Sequence, residues 1–164
     1  MGRLLSRLGI GAATVETILP DGAVTPGETI DVEVDVEGGS VQQPIDGLYF
    51  GVLTRTDGRD QLIAQFRVAE SLAIDAGQSR TIETAITIPP WTPVTRHDRR
   101  VWLKTGLDVT WSVDPNDEDD IAVAPGSHME ALFSAAEDLG FEPRGSEVRQ
   151  PDWHDWPLVQ AFRY

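Results

Sequence analysis

The chain has 164 residues, 40% of them hydrophobic, enough for one well-buried domain or one domain plus part of a second. It contains no cysteine, which excludes disulfides, thiolate nucleophiles and thiolate metal sites together. Its 27 acidic against 13 basic residues give a formal net charge of −14, a surface that repels phosphates and argues against nucleic acid and anionic membranes as partners.

In chain order, the start MGRLLSRLGIGAA places Leu4, Leu5 and Leu8 on one side of a short amphipathic helix. Arg7 cuts its apolar stretch below signal-peptide length. Gly2 and Ser6 fit a myristoylation pattern, but the helix is the simpler reading. No run approaches the ~20 apolar residues of a membrane span. Thr25-Pro26-Gly27-Glu28 reads as a type II turn into ETIDVEVDVE over 28–37. There Ile30, Val32, Val34 and Val36 alternate with acids and Thr29, the period of a half-buried strand. IDGLYFGVLTR over 45–55 is apolar on both faces, as a central strand should be, and Asp57-Gly58 supplies a hairpin turn. The return strand, around 62–74, sets Leu62, Ala64, Phe66 and Val68 on one face. A turn over 75–77 leads to a strand with Ile82, Thr84, Ile86 and Ile88, which IPPWTPVT interrupts. Residues 100–113, with Val101, Leu103, Val109, Trp111 and Val113, form a further strand.

The pattern changes at Pro125-Gly126. Ser127 and Glu130 have capping-box spacing, Met129, Leu132, Phe133, Ala136 and Leu139 follow helical spacing, and Gly140 is placed to end the helix. A polar stretch with Pro143, Gly145 and Pro151 follows, and PLVQAFRY over 157–164 reads as one more strand. Short strands with regular turns and little helix indicate a mainly β chain, an antiparallel β-sandwich of immunoglobulin-like type. One helix and one strand cannot bury themselves, so the tail packs on the sandwich, packs on another chain, or stays loose.

Acid excess with Lys104 as the only lysine points to a salt-adapted cytoplasm, where molar salt shortens the Debye length to about 3 Å and screens self-repulsion. His97, His128 and His154 lie in three segments without metal-type spacing. In DPNDEDD over 114–120, Asp114, Asn116, Glu118 and Asp120 offer the alternating oxygens of a calcium loop. Asp119 stands where that loop needs glycine, and Pro125 where it needs its last glutamate, so a solvated acidic turn is the favoured reading. No nucleophile elbow, phosphate loop or dinucleotide fingerprint occurs. Trp91, Trp102 and Trp111 fall on or beside strands and read as core or sheet-edge residues. Trp153 and Trp156, in a W-H-D-W turn, are the candidate exposed aromatics. With Leu158, Val159 and Phe162 of the last strand they form the candidate partner-binding set.

A set of stretches, in order, resembles the bacterial sporulation-control family of the stage-zero M type. They are LGIGAATVETIL, TPGETI, VEGGSVQQPIDGLYFGVLTR, LAIDAGQSRTI, IPPWTPVT, VWLKTGLDVTWSVDPNDEDDIAV, MEALFSAAEDLGF and LVQAFRY. The most specific is WLKTGLDV followed by VDPNDEDDI. With the acidic composition, the chain reads as a haloarchaeal member. The resemblance implies an arrestin-like fold of two β-sandwich lobes, a regulatory role and no catalytic residues. Such members continue past the VQ-x-F strand, which sets an expected division into a sandwich over 1–124 and an incomplete second lobe over 125–164. The function expected is that of a cytoplasmic, non-catalytic regulatory or scaffold protein without cofactor. It would bind a protein partner, or itself through sheet edges. The alternative is a calcium- or carbohydrate-binding sandwich using the 114–120 turn and the 153–156 loop.

Overall fold

Ten strands and one helix run through residues 13–96, 99–109, 116–151 and 157–164, the parts of the chain that the computed structural model describes. In order they are β1 (Thr14–Ile18), β2 (Thr29–Glu37), β3 (Gln43–Thr56), β4 (Arg59–Ala69), β5 (Leu72–Ile74), β6 (Ser79–Thr87), β7 (Val101–Val109), β8 (Asn116–Asp120), α1 (Ser127–Asp138), β9 (Gly145–Arg149) and β10 (Val159–Arg163). The expected N-terminal helix lies outside the described residues, as do Trp111, His97 and His154.

One sheet has the order β1-β2-β6; the other runs β4-β3-β7-β8, with β5 also on β3; β9 and β10 make a separate antiparallel pair. Along β2 burial alternates at every residue, so its four aliphatics enter the core and its acids face water. Val32, Val34 and Ile86 of the first sheet meet Leu48, Phe50, Val52, Leu103 and Leu107 of the second in one core. Truncating a buried aromatic such as Phe50 in such a core costs about 3–5 kcal/mol.

The turns follow from local chemistry. Gly27 takes φ 90°, and the Glu28 amide donates to the Thr25 carbonyl at 3.0 Å. Asp57 and Gly58 both adopt positive φ, 50° and 75°, in the two-residue hairpin between β3 and β4.

The return strand expected around 62–74 is two strands, β4 and β5, parted at Glu70 and Ser71. Four further details differ from the sequence reading. A bulge at Ile63, between the pairs Val52–Ala64 and Leu53–Leu62, buries Ile63 and turns Leu62 outward to 47% exposure. Leu62 therefore leaves the face of Ala64, Phe66 and Val68. Second, the 116–120 segment is an edge strand on β7 rather than a solvated turn, and Asp117 within it is buried. Its low β-propensity is overridden by the ladder that β7 offers and by buried partners for Asp117, described below. Third, no capping box forms: α1 starts a residue early, with Gly126 in the cap position and no side-chain cap bond. The other end matches expectation, since Gly140 at φ 85° closes a Schellman motif, with Gly140 and Phe141 amides donating to Glu137 and Ala136. Fourth, β9 was hidden in the polar stretch, because only Ser146 and Val148 mark its inner face.

The tail packs on the sandwich. Val148 and Leu158 join the main core. Phe133 of α1 meets Phe162 of β10 edge-to-face at 4.7 Å, and the Arg96 guanidinium lies 4.5 Å over the Phe133 ring while binding Glu137 at 2.6 Å.

Candidate functional site

Four stretches remote in sequence converge on one groove of about 390 Å³, where the 89–93 loop meets Pro26, the start of α1 and the start of β10. The loop is shaped by its prolines. Pro90 sits second in a turn closed by the Thr92 amide donating to the Pro89 carbonyl at 2.9 Å. Gln160 then clamps the loop to the tail: its Oε1 accepts from the Val94 amide at 2.8 Å, and its Nε2 donates to the Val94 carbonyl and to Ser146 Oγ. Trp91, Pro93, Met129, Leu158 and Val159 form apolar walls, and among the described residues no carboxylate lines the groove. Thr92 is buried there at 4% exposure, with a hydroxyl that has no hydrogen-bond partner among the described residues. A concave, mostly apolar surface with few polar groups is the form of a binding site.

The acidic segment is a different arrangement. On β8, Asn116, Glu118 and Asp120 share the outward face, whereas Asp117 and Asp119 point between the sheets. Glu118 contacts Lys104 at 3.4 Å and Arg100 at 3.9 Å, and Asp120 binds Arg100 at 2.6 Å. Asp117 Oδ2 accepts from the Thr17 amide at 2.8 Å, and the Thr17 hydroxyl meets that of Thr105. The Asp119 carboxyl is pushed up to about 7 by burial, then by the charge of Asp117 and a hydrogen bond with it, then by Glu16 and Asp120. Among the described residues no group of three or more acids and histidines is arranged to hold a metal ion. The outward acids are spaced along a strand and paired with cations, unlike the convergent oxygens of a calcium loop.

The candidate partner-binding residues are placed as follows. Leu158 and Val159 line the groove. Phe162 packs inward on Phe133. Trp153, Trp156 and Asp114 lie outside the described residues. The sequence reading missed Pro26, Pro93 and Met129 as lining residues; the IPPWTPVT run was the one signal available, read there only as an interruption.

Fold and site together define a class: an arrestin-like β-sandwich with a docked helix and hairpin, carrying an apolar groove at their junction. The chain belongs to the SpoOM protein family, which matches it over residues 1–164. It is 32% identical over 172 residues to the sporulation-control protein spo0M of Bacillus subtilis (strain 168), covering 99% of this chain and 67% of that protein. It is also similar to the crystal structure of Spo0M, sporulation control protein, from Bacillus subtilis, with TM-score 0.87 and 32% identity. That match covers 93% of this chain and 66% of the other, so this chain spans about two thirds of its relative's length.

Proposed function

We propose that the protein is a non-catalytic, cytoplasmic regulatory protein that acts by binding another protein through the groove at the tail–sandwich junction. The observation carrying this reading is the groove itself: apolar walls from four chain segments, fixed by the Gln160 clamp, with no carboxylate among the described residues of its lining. Such a surface suits an apolar anchor from a partner, the usual source of binding energy in an interface. The name of its relative, a sporulation-control protein, supports regulation in general. The two-lobe division belongs to the same proposal, with 125–164 opening a second lobe. A calcium role is less favoured, since the outward acids of β8 are taken by Arg100 and Lys104.

The test is a photocrosslinking residue at position 129, expressed in the native host at native salt. A discrete crosslinked protein whose contact maps to the groove supports the reading. Crosslinks indistinguishable from those of a residue at an exposed control position, such as Asp60, overturn it.

A further inference from the structure

The outward face of the five-stranded sheet is closed at one end and open at the other. At the closed end Trp102 is only 1% exposed, because the guanidinium of Arg100 lies 4.5 Å and that of Arg55 5.8 Å from its ring. At the other end Gly51 and Gly106 floor a depression of about 250 Å³, walled by Tyr49, Leu53, Leu62 and Lys104.

The two glycines have different reasons to be small. A Cβ on Gly51 would stand 3.3 Å from the methyls of both Leu53 and Leu62, so these leucines already fill its space. A Cβ on Gly106 would meet nothing within 4 Å among the described residues, and its backbone is not in the left-handed region. Glycine weakens a strand interior, and neither conformation nor packing against the described residues requires it here; in a strand such a position often marks close approach by a ligand or another backbone.

The charge around the depression runs against that of the molecule. In a chain of net charge −14, no carboxylate of the described residues lines it, and the only lysine does. The contact of Lys104 with Glu118 is long, 3.4 Å, and Glu118 is also held by Arg100. Arg67 lies 5.6 Å over the Tyr49 ring and gives only long bonds, 3.4 and 3.3 Å, to the Asp46 and Glu70 carbonyls. Both cations keep hydrogen-bonding capacity for an incoming carboxylate.

We propose that this depression docks an acidic peptide segment bearing one large apolar side chain, which seats over Gly106 while flanking carboxylates meet Lys104 and Arg67. This is a second surface, and its failure leaves the groove reading untouched.

The probe is a capped, fluorescein-labelled Asp-Glu-Trp-Asp-Glu peptide, titrated against the full chain at the lowest salt that keeps it folded. Backbone amide shifts are followed at Gly51, Lys104 and Gly106. The proposal expects saturable shifts there, at least tenfold weaker binding by Gly106→Val, and about threefold weaker binding by Lys104→Met. The Tm of Gly106→Val should be unchanged or raised, since its side chain enters open space in a strand. If that variant unfolds, Leu62→Ser takes its place with the same expected loss. Binding of a Lys-Lys-Trp-Lys-Lys control equal to that of the acidic peptide overturns the proposal, as does undiminished binding by the variants. Concentration-dependent dimers abolished by Gly106→Val, with no peptide binding, would assign the surface to a second copy instead and also overturn it.

Discussion

Asp117 accepts the amide of Thr17 at 2.8 Å, so a carboxylate on the edge strand of one sheet caps a free backbone donor on the edge strand of the other. Its second oxygen accepts the Glu118 amide at 3.0 Å. Edge strands expose unpaired amides, and here a buried acid takes one of them out of circulation. Asp117→Ala leaves the Thr17 amide buried without a partner. The expected cost is about 1–3 kcal/mol, read as a lower urea midpoint at unchanged slope.

The neighbouring acid makes stability depend on pH. With its folded value raised to about 7 from an ordinary 3.8, Asp119 holds a proton more tightly folded than unfolded. Its contribution is fully present below about pH 3.8 and is lost as pH rises through about 7. Denaturation between pH 5 and 8 should therefore show stability falling with pH. Asp119→Asn, which keeps the neutral form at every pH, should flatten that slope. A slope equal in wild type and variant would assign the dependence to other groups.

Salt dependence has a structural source in the three-stranded sheet. Glu33 of β2 lies directly across from Glu83 of β6, and Asp35 across from Glu16 of β1. Like charges directly opposite on a sheet destabilise it, each pair on the order of 0.2–1 kcal/mol. The Tm should rise from dilute buffer to molar KCl as screening shortens the reach of this repulsion. Glu83→Lys should raise the low-salt Tm and reduce the increment. A Tm indifferent to KCl would contradict the salt-adapted reading.

Much of the sandwich is legible in the sequence because its signals are local. The in–out rhythm of β2, the Asp57-Gly58 hairpin and the glycine that ends α1 each depend on a few adjacent residues. The Ile63 bulge is not legible, since one extra residue in a mixed run leaves either face assignment open. Nor is the β8 strand: the composition of 116–120 suits a turn, and only the edges of β7 and β1 make it a strand with a buried acid. The groove is the extreme case. Leu158 and Val159 were singled out for their place in an apolar terminal strand, but Pro26, Trp91 and Met129 lie far away in sequence. What joins them is tertiary: the turn at Pro89–Thr92 and the side-chain amide of Gln160.

The claim on which the account rests is recognition through that groove, and a binding isotherm tests it most directly. The protein captured at position 129 is titrated, in molar KCl, against wild type and against Val159→Asp, after both are shown to melt at the same temperature. A charge placed on the apolar wall should weaken binding at least tenfold, about 1.4 kcal/mol. Equal affinity for the two chains would contradict the account.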